Sequence, residues 1–179
     1  MKRAAFLDRD GVINRSILIN GHPKPPKTTK EVEIIEGVPE AIAILKSNDI
    51  VPVIITNQPD VARGITSQGQ IKEINSYIGA MANIDYFYTC FHDDLDLCVC
   101  RKPKPGLIYQ SANELNLDIA NSFVVGDRWR DISAGQEAGC QTFFINYLYP
   151  EKQPEMPFTA VSSLLEAVRI MTREPYGTK

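Results

Sequence analysis

Asp8 and Asp10 stand two residues apart in the stretch FLDRDGVIN, behind an apolar run and just ahead of Gly11. Two carboxylates so close repel each other unless a cation, a basic side chain or water lies between them. Alternation of side chains along a strand would put both on one side. Asp127 and Asp131, in GDRWRD, add two more acidic groups. Asp8, Asp10 and Asp127 are three potential oxygen ligands for a hard cation, with Asp131 a candidate outer-shell fourth. Mg²⁺ suits such a set, because it takes one or two carboxylates and completes its shell with phosphate and water oxygens. Thr56, Asn57, Arg101 and Lys102 supply hydroxyl, amide and cationic donors of the kind a phosphoryl group uses. A carboxylate can itself attack phosphorus and carry it as an aspartyl-phosphate. A second carboxylate two residues on can protonate the leaving oxygen and then activate water.

A second constellation lies in CFHDDLDLCVC, which holds Cys90, His92, Cys98 and Cys100. Three thiolates and an imidazole make a complete tetrahedral set for Zn²⁺. Four protein ligands leave no open position for water, so the expected metal is structural. Its expected task is to fold the loop 90–100 that carries Arg101 and Lys102, since the binding free energy of a structural zinc is folding free energy. Asp93, Asp94 and Asp96 read as a solvated loop face, and Cys140, in EAGCQTFFI, reads as a buried core thiol.

These groups need elements to hold them. RAAFLD, IVPVIIT, IDYFYTC, SFVVGD and QTFFIN read as five strands. VPEAIAILKSN, SQGQIKEINSYIGAM, GLIYQSANELN, ISAGQEAG and SLLEAVRIM read as helices, with Pro39 suited to a first turn and Gly139 to a helix end. The connection over 15–36 contains Pro23, Pro25 and Pro26, which speak against a regular element through its middle. The last residues, REPYGTK, are expected to fray. Strands alternating with helices predict an α/β fold: one Rossmann-like, three-layer α/β/α domain over 1–179 with a mostly parallel sheet. Ligands of such sheets bind beyond the carboxyl ends of the strands, where Asp8, Thr56 and Asp127 are expected to stand.

The chain has 179 residues, 44% hydrophobic and 23% charged, as in a soluble globular protein. A net charge of −3 argues against a general nucleic-acid binder. No apolar run approaches the roughly 18 residues of a membrane span. The start MKRAAFL imitates a signal peptide, but Asp8, Arg9 and Asp10 cut its apolar run short. The expectation is a cytoplasmic monomer acting on a small molecule.

The order Asp8-Arg9-Asp10-Gly11-Val12, Thr56-Asn57, Lys102, and Gly126-Asp127 through Asp131 resembles the haloacid dehalogenase superfamily of phosphatases over roughly residues 3–146. The resemblance implies Asp8 as nucleophile, Asp10 as general acid/base, and Mg²⁺ held by the Asp8 carboxylate, the Asp10 carbonyl and Asp127. The run C-x-H…C-x-C-R-K-P-x-P-G is similar to the capless branch of D-glycero-D-manno-heptose 1,7-bisphosphate 7-phosphatases and histidinol-phosphate phosphatases, and TNQPDVARG favours the heptose side. That likeness implies a phosphate site lined by Thr56, Asn57, Gln58 and Pro59. Arg101 would contribute to substrate recognition, and Lys102 would neutralise the transferring group. A remote second phosphate would need further cations, for which Arg63, Arg101 and Arg128 are candidates. Gln58-Pro59-Asp60-Val61 departs from the usual Gln-Ser-Gly-aliphatic run, and the proline-rich 15–36 connection stands where a cap would be. The rivals are histidinol phosphate or a nucleic-acid end as substrate, or a non-catalytic zinc-stabilised binding module.

Overall fold

The computed structural model describes residues 1–172; the REPYGTK segment expected to fray lies outside the described residues. Six strands form one parallel sheet: β1 (Arg3–Leu7), β4 (Ile50–Asn57), β5 (Tyr86–Cys90), β6 (Phe123–Gly126), β7 (Gln141–Ile145) and β8 (Thr159–Val161), in the spatial order β5-β4-β1-β6-β7-β8. Five helices cover it: α1 (Val38–Ser47), α2 (Gln68–Ala82), α3 (Gly106–Leu115), α4 (Trp129–Ala138) and α5 (Leu164–Met171).

The period of two in the central strands divides the core. Ala5 and Leu7 of β1 join Val125 of β6 in an apolar cluster with α1, α2 and α5. Ala4 and Phe6 point the other way, joining Val124 in a cluster with α3 and α4. Both faces are therefore covered, and the strands read as continuous apolar runs for that reason. The result is the expected three-layer α/β/α arrangement. Pro52 is tolerated inside β4 because β5 begins to pair only at Val53, leaving Pro52 paired on one side with Ala5.

The chain steps from β1 outward to β4 and β5, then crosses back to β6 on the other side of β1. The connections diverge around β1, and the crevice this opens faces the carboxyl ends of β4, β1 and β6.

Three elements differ from expectation. The proline-rich connection contains an antiparallel hairpin, β2 (Ile17–Ile19) with β3 (His22–Lys24). Asn20 and Gly21 turn it at positive φ (52° and 78°), the backbone that two-residue hairpins require. Pro23 sits within β3 because a two-stranded ribbon leaves one side of each strand free of partners. The short edge strand β8 has too few residues to show a period. Helix α4 begins at Trp129, earlier than read, because the Asp131 carboxylate accepts from the Arg128 backbone N–H (3.0 Å) and closes its first turn.

Candidate active site

Asp8 follows directly on β1, and its backbone N–H still donates to the Val125 carbonyl of β6 (3.0 Å), so it is anchored to the sheet. The chain then coils: Ile13 and Asn14 N–H both donate to the Arg9 carbonyl (2.9 and 3.1 Å), and Gly11 takes φ +99°. Asp10 is therefore positioned by this coil rather than by strand alternation. A Cβ on Gly11 would stand 1.9 Å from an Asp127 oxygen, and one on Gly126 would stand 2.1 Å from the Asp131 Cβ. The glycines of both motifs exist so that carboxylates can crowd the backbone.

Three side chains clamp the Asp10 carboxylate. Arg9, fully buried, donates from Nε (3.2 Å) and Nη2 (2.9 Å), and its Nη1 is held by Asn75 of α2 (2.8 Å). Asn14 Nδ2 donates at 3.0 Å and Gln58 Nε2 at 2.8 Å. Gln58, expected at the phosphate wall, is fully buried and instead links Asp10 to the Thr56 hydroxyl (2.9 Å). Arg9, Asn14 and Asn75 had no assigned role from sequence. The one signal was that Arg9 stands between Asp8 and Asp10, where a cation would relieve their repulsion.

Lys102 is 3% exposed, and its Nζ donates to Asp8 (2.7 Å), Asp131 (2.6 Å) and the Ile55 carbonyl (2.7 Å). Asn57 sets its backbone through a reciprocal pair, Nδ2 to the Lys102 carbonyl (3.0 Å) and Lys102 N–H to Oδ1 (3.1 Å). Asp131 is thus more than a first-turn charge. Burial would lower the Lys102 ammonium, but Asp131 and Asp8 outweigh it and hold it above its ordinary range.

Carboxylate oxygens of Asp8, Asp127 and Asp131 lie within 4.8 Å of one another. Burial pushes the Asp8 carboxyl up to about 6, against the pull of Lys102. Asp127 is driven well above its usual range by burial and then by Asp8, against the weaker pull of the Tyr149 hydroxyl, and no donor stands within full hydrogen-bond geometry of either oxygen. Three carboxylates facing one ammonium leave two formal negative charges. An orphaned buried carboxylate in such a cluster fits a divalent cation bound through oxygen.

These groups open into a cavity of about 350 Å³, bordered also by Thr56, Asn57, Pro59, Arg63, Arg101 and Arg128. The arginines arrive already paired. Arg63 bonds Asp93 (2.6 and 2.8 Å) and Asp60 (3.3 Å), Arg101 bonds Asp94 (2.8 Å), and Arg128 bonds Glu151. Asp93 and Asp94, read as a solvated face, are the counter-charges of this rim, and Arg63 holds the Asp93 carboxyl down at about 2.

Strand β5 ends at Cys90, in register with Asn57, so the loop 90–100 leaves the sheet at the level of the site. Within it Cys90 lies 3.6 Å from His92 Nδ1, 3.7 Å from Cys98 and 3.2 Å from Cys100. A tetrahedral zinc with Zn–S bonds of about 2.3 Å has edges of about 3.7 Å. The cluster could hold zinc with little adjustment. Cys98→Ser is expected to lose most bound zinc and to lower the melting temperature by about 10 °C, the equivalent of a few kcal/mol in a chain of this size. Unchanged metal content by elemental analysis would contradict this.

A HAD-hydrolase-like family model matches residues 99–147. The chain is 33% identical over 153 residues to the D-glycero-beta-D-manno-heptose-1,7-bisphosphate 7-phosphatase of Haemophilus ducreyi, covering 79% of this chain and 81% of that one. It is 36% identical over 149 residues to the Pasteurella multocida protein of the same name, covering 77% and 78%. The fold superposes on the crystal structure of D,D-heptose 1,7-bisphosphate phosphatase from B. bronchiseptica, complexed with magnesium and phosphate, with a TM-score of 0.78 and 26% identity over 94% of this chain and 97% of that one.

Proposed function

Because this chain belongs to the D-glycero-β-D-manno-heptose-1,7-bisphosphate 7-phosphatase family of HAD-like hydrolases and is a phosphatase, we propose that it removes the 7-phosphate of that sugar bisphosphate. The observation that carries the reading is the buried Asp8, paired with Lys102 and set beside the buried Asp127 in the lining of the cavity.

In the mechanism we infer, Asp8, Asp127 and the Asp10 carbonyl hold Mg²⁺. When bound, that ion offsets charge on the phosphoryl oxygens and keeps Asp8 ionised. Lys102 fixes the Asp8 carboxylate through one oxygen, leaving the other to attack phosphorus in line. The Thr56 hydroxyl borders the same space and can donate to a phosphoryl oxygen. Asp10, oriented by Arg9, Asn14 and Gln58, protonates the leaving sugar oxygen. It then removes a proton from the water that hydrolyses the aspartyl-phosphate, which returns Asp8 to its starting state. Arg101 and Arg63 border the entrance, where they contact the sugar.

Among the described residues no helix is long and apolar enough to cross a membrane. We read the enzyme as cytoplasmic, acting as a monomer in the supply of heptose units for glycan precursors; three of its cysteines grouped with a histidine rather than joined in disulfides support the first of these.

The test is phosphate release with Mg²⁺ from both anomers of heptose 1,7-bisphosphate and from histidinol phosphate. A kcat/KM at least a hundredfold higher for a heptose anomer, about 2.7 kcal/mol of differential transition-state stabilisation, is expected. Preference for histidinol phosphate, or uniformly feeble rates, would overturn the substrate assignment.

A further inference from the structure

We propose that Lys24, on the β2–β3 hairpin, receives the non-reacting phosphate of the substrate and so sets the preference for a bisphosphate; the inference rests on the sugar-bisphosphate reading above. A second phosphate dianion needs positive charge at the far side of the sugar from Asp8. The cations bordering the cavity are Lys24, Arg63, Arg101, Lys102, Arg128 and Arg130. Five of them already hold carboxylates: Arg63 has Asp60 and Asp93, Arg101 and Arg130 share Asp94, Lys102 has Asp8 and Asp131, and Arg128 has Glu151. Lys24 makes no ion pair or side-chain hydrogen bond among the described residues.

A phosphate arriving at one of the arginines must share it with a carboxylate already in place, and the two anions repel. At Lys24 it meets an exposed ammonium with three donors and no competitor.

The backbone that carries Lys24 is held in advance. Lys24 pairs with Ile17 across the ribbon, and Pro23 and Pro25 flank it, so the residue before Pro25 is already restricted to extended conformation. Pro26 is buried, fixing the hairpin's exit. Little backbone freedom remains to be lost when an anion binds. His22 borders the cavity from the same strand, two residues away and so on the same side as Lys24, where its imidazole can donate a further hydrogen bond.

The experiment compares kcat/KM for heptose 1,7-bisphosphate with that for heptose 7-phosphate in wild type, Lys24→Gln and Lys24→Arg. In Lys24→Gln the bisphosphate-to-monophosphate ratio is expected to fall about ten- to a hundredfold, the effect of one charged hydrogen bond, through KM for the bisphosphate rather than kcat. Lys24→Arg should restore the ratio to within a fewfold. A merely structural role would alter both substrates alike and leave the ratio unmoved. Wild type favouring the bisphosphate with an unchanged ratio in Lys24→Gln overturns the role of Lys24 alone. Wild type with no preference between the two overturns both that role and the substrate reading it rests on.

Discussion

Asp8→Asn is expected to lower phosphate release by about 10⁴-fold or more while leaving the fold intact. The amide cannot attack phosphorus, and nothing else stands where Asp8 does. The stability effect has the opposite sign. Burial holds the Asp8 carboxyl up at about 6, so at neutral pH the metal-free protein ionises it at a net cost, beside Asp127 and Asp131. A folded-state value above the unfolded one means that the native state binds more protons between the two. Stability contributed by the neutral acid is thus present below pH ~4 and lost as pH rises towards 6. Asparagine does not titrate. Without Mg²⁺, Asp8→Asn should therefore melt at or above wild type at pH 7.5, and the gain should vanish below about pH 4. Thermal melts at the two pH values, with activity measured alongside, test both halves. A variant retaining wild-type turnover would remove Asp8 from the nucleophile's role.

Replacing Lys102 by methionine should lose turnover as well, but with the opposite effect on stability, which falls. The stem is conserved in volume, but Asp8 and Asp131 lose the ammonium that bonds them at 2.7 and 2.6 Å. Removing one partner from a buried ion pair costs about 3–5 kcal/mol because the remaining charge is left uncompensated. At about 2–4 °C per kcal/mol for a chain of this size, the melting temperature should fall by about 6–20 °C in metal-free buffer. Added Mg²⁺ should recover part of that loss, because a divalent cation supplies the missing positive charge to the same carboxylates. Loss of a fixed cation beside the transferring group should also lower kcat by about 10²–10³-fold. An unaltered melting temperature would mean that Asp8 and Asp131 do not depend on Lys102 for their charge.

The two variants separate what the buried cluster does chemically from what it costs. Four charged side chains meet beyond the carboxyl ends of β1 and β6. Their arrangement is tolerable because Lys102 is driven between two of the acids, while Asp127 is left facing the cavity. The peptide of Lys102 is fixed by Asn57 at the end of β4, and it follows the cysteine loop that starts level with Asn57. The loop and the carboxylate cluster are thus neighbours along the chain and across the sheet.

Much of this was determined by the sequence alone. The continuous apolar runs mark strands buried on both faces, and the helical spacing between them supplies the layers that cover those faces. The strand and helix runs, the strand-end carboxylates and the grouping of Cys90, His92, Cys98 and Cys100 are all local patterns, legible from spacing. Asn20-Gly21 is a local hairpin signal too, masked by Pro23, Pro25 and Pro26 that follow it. What only the tertiary structure decided is pairing at long range. Asp131 meeting Lys102, Arg9 reaching Asn75, and Asp93 answering Arg63 join residues 29, 66 and 30 positions apart. No periodicity encodes such contacts, because a charged side chain's partner is set by which strand ends the fold brings together. For the same reason, sequence presents every rim arginine as an available cation. Only the folded chain shows that their charge is already answered and that Lys24's is not.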